Sequence, residues 1–241
     1  MTATSRPRPV FIAALPREIA SLVARRGWRA DRTFLGRNIH LFEHEDAIVA
    51  CAGMGAHRAT LAVEAALTLG PASELISAGW AGACTNWLAV GDVVRANIVI
   101  DAKTGERYLT AEREQGARGQ EVVVTVSAPA SATEKQRLAM SYYASAVDME
   151  AAAVARIARA REVPFRAIKA ISDAYDFDLP GMDGFTTHDG QFREAAFALH
   201  LVVHPSLWKP VAILAKGSKL AGGNLQAAIG EHISHSRERT S

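Results

Sequence analysis

The chain has 241 residues, 49% of them hydrophobic and 22% charged, which excludes a disordered polypeptide and leaves enough apolar surface for a core without disulfide or metal staples. Lysine and arginine number 27 against 25 aspartates and glutamates, a formal net charge of +2, so no concentrated basic surface marks a nucleic-acid binder. Cys51 and Cys84 are too few for a disulfide framework and read as buried reduced thiols of a cytoplasmic protein. No run of 18 apolar residues would span a membrane.

The polar start, through Pro9, reads as a disordered lead-in rather than a secretory signal. Val10 to Leu15 predicts a first strand, and Pro16-Arg17-Glu18 opens a helix in which Ile19, Leu22 and Val23 recur at helical spacing. Proline suits that first turn because its missing N–H has no partner there. Phe34 to Phe42 and Ala47 to Ala52 predict two strands, Gly53-Met54-Gly55 a turn, and His57 to Leu69 a helix. Glu74 to Ala78 predicts a buried strand ending in a glycine turn, Gly79-Trp80-Ala81-Gly82-Ala83. Val93 to Ile100 is strand-like, Ala102 to Gly119 a polar loop, and Val122 to Val126 a β-branched strand. Asp148 to Arg161 predicts a helix and Phe165 to Ile171 a strand, followed by Ser172-Asp173. Strands alternating with helices predict an α/β fold, one domain over 1–241 built as a three-layer αβα sandwich on a central mixed sheet, with 230–241 a frayed tail.

In open α/β sheets ligands sit beyond the carboxyl ends of strands, and carboxylates stand at such places. Glu18 lies in the first turn after strand one, Asp173 directly follows an apolar strand, and Glu150 shares a helix face with Val154 and Ile157. Each has a plainer explanation: a helix-start acid favoured by the macrodipole for Glu18 and Glu150, a turn or N-cap residue for Asp173.

The strings Val147-Asp-Met-Glu-Ala-Ala-Ala-Val154 and Val163-Pro-Phe-Arg-Ala-Ile-Lys-Ala-Ile-Ser-Asp173 resemble the signature of the nucleoside phosphorylase and nucleosidase superfamily, and within it most closely the methylthioadenosine/S-adenosylhomocysteine nucleosidases. Ala13-Ala-Leu-Pro-Arg-Glu18, Gly53-Met-Gly55, Gly79-Trp-Ala-Gly82 and Val90-Gly-Asp92 match the same pattern in order, so the resemblance covers Val10 to Asp173. It implies that Asp173 protonates the departing base, with a raised pKa, and that Ser172 orients it. It further implies that Glu18 activates the nucleophilic water, that Glu150 binds the ribose hydroxyls with Met149 packed on the sugar, and that Asp148 belongs to the base site. No metal and no organic cofactor is called for.

The chain departs from that pattern. At the turn Gly79, Trp80, Ala81, Gly82, where phosphorylases hold phosphate, Ser77 takes the arginine place and Trp80 the serine place. A phosphate dianion needs charge-assisted donors, which favours water as the nucleophile unless Arg17, Arg58 or a second subunit supplies charge. Ser127-Ala-Pro-Ala-Ser131 stands where the nucleosidases carry an adenine-stacking aromatic, and Asp148 is shorter than their glutamate. His200 and His204 have metal-ligand spacing but no third ligand, and Asp176, Asp178 and Asp183 lack a calcium-loop spacing. The apolar and lysine-bearing tail from Phe197 to Ile229 is unusual for the nucleosidases and loosely resembles a branch acting on nucleoside-bearing hopanoid lipids. Core packing is its first reading; a subunit interface, a cover over the pocket and a membrane surface are the others. The expected function is hydrolysis of an adenosine-type nucleoside, with phosphorolysis and a non-catalytic nucleoside-binding protein as alternatives. The expected partners are a small nucleoside and further copies of the chain, dimer or higher.

Overall fold

A computed structural model describes residues 6–112, 121–178 and 208–238. In chain order the elements are β1 (Arg8–Ala13), α1 (Pro16–Val23), β2 (Arg29–Asp31), β3 (His40–His44), β4 (Ala47–Cys51), α2 (Ala56–Ala66), β5 (Ala72–Ala83), β6 (Val93–Arg95), β7 (Ile98–Asp101), β8 (Arg107–Leu109), β9 (Val122–Thr125), α3 (Ala132–Tyr142), β10 (Ala146–Asp148), α4 (Ala151–Ala160), β11 (Phe165–Asp173) and α5 (Trp208–Glu238).

The strands form one mixed sheet in the order β2-β3-β4-β1-β5-β10-β9-β7-β8, with β11 also pairing β5 and β6 pairing β11. The central strands β4, β1, β5 and β11 run parallel, with Ile12 opposite both Ala50 and Ser77, and Lys169 opposite Gly79. A parallel centre is covered on both faces, which is why β1 and β4 read as unbroken apolar runs. Alternate residues serve alternate faces. Val10 and Ile12 pack with Ala59, Ala62 and Val63 of α2 and Val154 and Ala158 of α4. Phe11 and Ala13 pack with Ile19 and Leu22 of α1 and Ala221, Leu225 and Ile229 of α5. Leu138 of α3 packs on Ile98, Ile100, Val124 and Val147. The αβα sandwich is as expected.

Several elements differ from the sequence reading. A 3₁₀ turn, Leu35–Arg37, and left-handed Asn38 (φ 55°) occupy the start of the expected strand Phe34 to Phe42, so β3 begins at His40. Val93 to Ile100 is two strands, broken where buried Asn97 turns its Oδ1 to accept from Glu121 N–H at 2.8 Å. The expected loop Ala102 to Gly119 contains β8, antiparallel to β7 and anchored by buried Tyr108. Arg8 and Pro9 lie in β1 rather than in a disordered start, and α5 continues to Glu238 where 230–241 was expected to fray. That helix is held by polar contacts as well as apolar ones. Gln226 Oε1 accepts from Leu22 N–H at 2.7 Å, Asn224 Nδ2 donates to Gly91 O at 2.7 Å, and His232 meets Glu74 at 2.6 Å. His200, His204 and Asp183, and the tail before Trp208, lie outside the described residues.

Candidate active site

A cavity of about 400 Å³ opens at the carboxyl ends of the central strands. Glu18, Trp80, Ala81, Gly82, Asp148, Met149, Glu150, Ser172 and Asp173 all line it, so residues spread over most of the chain converge there. Gly79 does not line it but makes room for it. A Cβ at Gly79 would stand 3.3 Å from Glu18 Oε1, and one at Gly82 would stand 2.8 Å from Asp173 Oδ2. The expected glycine turn is therefore a correction: Gly79 to Gly82 is the interior of β5, paired with β11 and β10. Glycine serves there for close side-chain approach, not for a turn.

Glu18 is the third residue of α1, placed there by Pro16 at the helix start. It is buried, its Oε2 accepting from the N–H groups of Ala14 and Leu15, both at 2.8 Å, and its Oε1 from Trp80 N–H at 3.0 Å. Burial pushes its pKa above the usual carboxylate value despite these donors and nearby Lys169. Glu150 is the residue just before α4 rather than the head of its apolar stripe. Its Oε1 accepts from Gly55 N–H at 2.6 Å, which ties the Gly53-Met54-Gly55 turn to the site. Burial, and then the neighbouring Asp148 charge, push its pKa up to about 7. Asp148 closes β10 instead of opening a helix. Its Oδ1 accepts from Thr125 Oγ1 at 2.6 Å and its Oδ2 from Ala151 N–H at 2.9 Å, so it supports the site by capping the start of α4.

Asp173 ends β11, with Ser172 Oγ donating to its Oδ1 at 2.6 Å. Its Oδ2 is ion-paired with Lys135 Nζ. Asp173 is thus met as half of an ion pair, not as the lone desolvated carboxyl that the sequence suggested. Of the cations named as phosphate ligands, Arg58 is buried with its guanidinium on the carbonyls of Ala52, Arg37 (3.1 Å) and Asn38 (2.9 Å). Arg17 lies over the Trp80 ring, 5.1 Å from its centroid, at the cavity rim.

Two lysines were missed. Lys169 is fully buried in β11, 2.7 Å from Asp148 Oδ2 and donating to Ser77 Oγ at 2.9 Å. Burial opposes its charge, but Asp148, then Glu150 and Glu18, outweigh it and hold its pKa high. A lysine inside an apolar strand demands a buried partner, and that was the available signal. Lys135 sits in the first turn of α3, a helix announced by Ser131-Ala-Thr-Glu134, the spacing of a capping box. Ser131 Oγ accepts from Glu134 N–H at 3.2 Å.

The family model described as the phosphorylase superfamily matches residues 9–133 and 111–205. Among solved structures, the 5′-methylthioadenosine nucleosidase of Arabidopsis thaliana in apo form is 18% identical, with a TM-score of 0.70 over 95% of this chain and 96% of that one. The 5′-methylthioadenosine/S-adenosylhomocysteine nucleosidase of Neisseria meningitidis, in complex with methylthio-immucillin-A, is 21% identical (TM-score 0.60, 91% and 99% covered). Futalosine hydrolase of Helicobacter pylori is 18% identical (TM-score 0.61, 93% and 98% covered). No curated protein sequence matches. The family match takes in β1 through β11 and every carboxylate of the cavity, and on it the chain belongs to the phosphorylase superfamily, as an enzyme of the N-glycosidase or pentosyltransferase type.

Proposed function

We propose that the chain is a nucleosidase that hydrolyses the N-glycosidic bond of a purine riboside of the methylthioadenosine or S-adenosylhomocysteine type. The observation that carries this reading is the convergence of Glu18, Glu150 and Asp173 on one cavity, each with different partners. Heterolysis leaves positive charge on the sugar and negative charge on the base, so the two ends of the bond need opposite help. Glu18, fixed by backbone donors and made more basic by burial, takes a proton from the attacking water as its oxygen bonds the anomeric carbon. Glu150, when ionised, accepts from the ribose diol and favours the cationic sugar, against which Met149 packs. Asp173 delivers a proton to a ring nitrogen so that the base leaves neutral. Phe177 and the segment Ala128-Pro129-Ala130 form the base walls where the stacking aromatic of the nucleosidases is replaced.

Water is favoured over phosphate by where the cations are. Ser77 is bonded to Lys169, Arg58 is held by carbonyls, Lys135 by Asp173, and Arg17 is stacked on Trp80 at the rim, while a phosphate dianion would meet the Glu18 carboxylate. A second reading concerns substrate size. A groove of about 770 Å³ lined by Val90, Ile213, Leu214 and Leu220 shares Ser172, Asp173 and Phe177 with the cavity, which suits a nucleoside bearing a bulky apolar substituent. The test is base release from a panel of purine ribosides, with and without apolar 5′ groups. Asp173→Asn is expected to lower turnover about 10²–10⁴-fold while binding persists. Unchanged turnover would remove Asp173 from the mechanism.

A further inference from the structure

Lys135 has no role in the mechanism above, yet it is only 1% exposed and lies against the group that must deliver a proton. Its three N–H bonds are all engaged: one with Asp173 Oδ2, one with Ala174 O at 2.8 Å and one with Phe177 O at 3.3 Å. The pair is lopsided, with the lysine side chain 2% exposed and Asp173, facing the cavity, 19%. Strand β5 carries Gly82 beneath it, where a Cβ would come within 2.9 Å of Lys135 Cε. A buried ion pair is a poor way to gain stability, because desolvation offsets the attraction. This one joins Asp173 to a second acid at the wall of the same cavity.

We propose that Lys135 supplies the proton that Asp173 passes to the departing base, acting as a positioning residue through Asp173 and resting on the nucleosidase reading. As the bond between the anomeric carbon and the base breaks, its electron pair stays on the base. A ring nitrogen of the base takes a proton from Asp173, and Asp173 takes one from Lys135 Nζ. Asp173 ends as the carboxylate it began as, Lys135 as a neutral amine, and the base leaves uncharged. Glu18 has gained the proton of the attacking water. Solvent removes that proton and returns one to Lys135, so the cycle closes with one water consumed. An amine is suited to the task because its basicity is comparable to that of a departing purine anion, whereas an arginine does not give up its proton.

The experiment compares two leaving groups, a purine that must be protonated and a nitrophenolate that departs without a proton, both as ribosides. Lys135→Met is expected to lower kcat on the purine riboside about 10²-fold or more, with KM within a few-fold, and to leave nitrophenyl riboside cleavage within a few-fold of wild type. Lys135→Arg keeps the charge and is expected to remain slow on the purine alone. Lys135→Gln, which retains donors for the Ala174 and Phe177 carbonyls, replaces the methionine variant should that one not fold. Equal losses on both substrates, restored purine turnover in Lys135→Arg, or no loss at all would overturn the assignment. Wild-type protein that cleaves neither riboside would instead sink the nucleosidase reading, and this assignment with it.

Discussion

Glu150 is expected to be a residue that the fold would be more stable without. Its carboxyl is buried beside Asp148, which lifts its pKa from 4.5 to about 7. That lift corresponds to roughly 3 kcal/mol of cost for the ionised form. The sign follows from proton counts. Between pH 4.5 and about 7 the folded chain holds a proton at Glu150 that the unfolded chain has lost, so this group favours folding as pH falls and disfavours it above about 7. Glu150→Gln removes the charge and keeps an oxygen for Gly55 N–H; the attraction to Lys169 is already contained in that lift, so the further loss is the Met149 N–H contact at 3.3 Å. Setting about 1 kcal/mol against that contact leaves a gain of about 2 kcal/mol at pH 8. For a chain of this size that is a Tm rise of about 4–8 °C. At pH 5, where the wild-type carboxyl is already neutral, the rise should vanish. In the same variant kcat/KM should collapse, since the ribose diol loses its charged acceptor, and wild-type kcat/KM should itself fall as pH drops through about 7. The assay is thermal unfolding of both proteins at the two pH values. A variant less stable than wild type at pH 8, or shifted equally at both, would refute the reasoning.

Gly82→Ala should fold, because its clash is with the ends of the Asp173 and Lys135 side chains rather than with backbone, but base release should drop at least about 10-fold as that pair is displaced; wild-type rates would contradict the packing argument. Lys169→Met leaves Asp148 buried without its cation and should destabilise the fold by about 3–5 kcal/mol at neutral pH, read by denaturant unfolding. A smaller loss at acidic pH, where the carboxylates protonate, is part of the same expectation.

What was legible in the sequence was whatever leaves a local trace. Pro16 two residues before Glu18, the strand run ending in Asp173, and the unbroken apolar run of β1 each follow from rules that act over a few residues. Contacts between distant segments left less. Glycine suits both turns and close approaches, so Gly79 and Gly82 read as a turn until Glu18 and Lys135 are seen filling the space above them. The short edge strand β8 hid in a polar stretch because Arg107 and Leu109 face outward and only Tyr108 packs. Gly217, Gly222, Gly223 and Gly230 weaken the local case for α5, which is held by its packing on β11 and α1. The ion pair of Lys135 and Asp173 joins residues 38 apart, and nothing local marks it.

The central claim, that Glu18 delivers water to a ribosyl carbon in this cavity, is tested most directly by the mass of the sugar product. Reaction in ¹⁸O-labelled water containing inorganic phosphate should release the free sugar with the heavy oxygen at its anomeric carbon, at a rate nearly independent of phosphate. Glu18→Gln should abolish that release. A sugar 1-phosphate as the main product, carrying no label from water, would contradict the account and make this enzyme a phosphorylase.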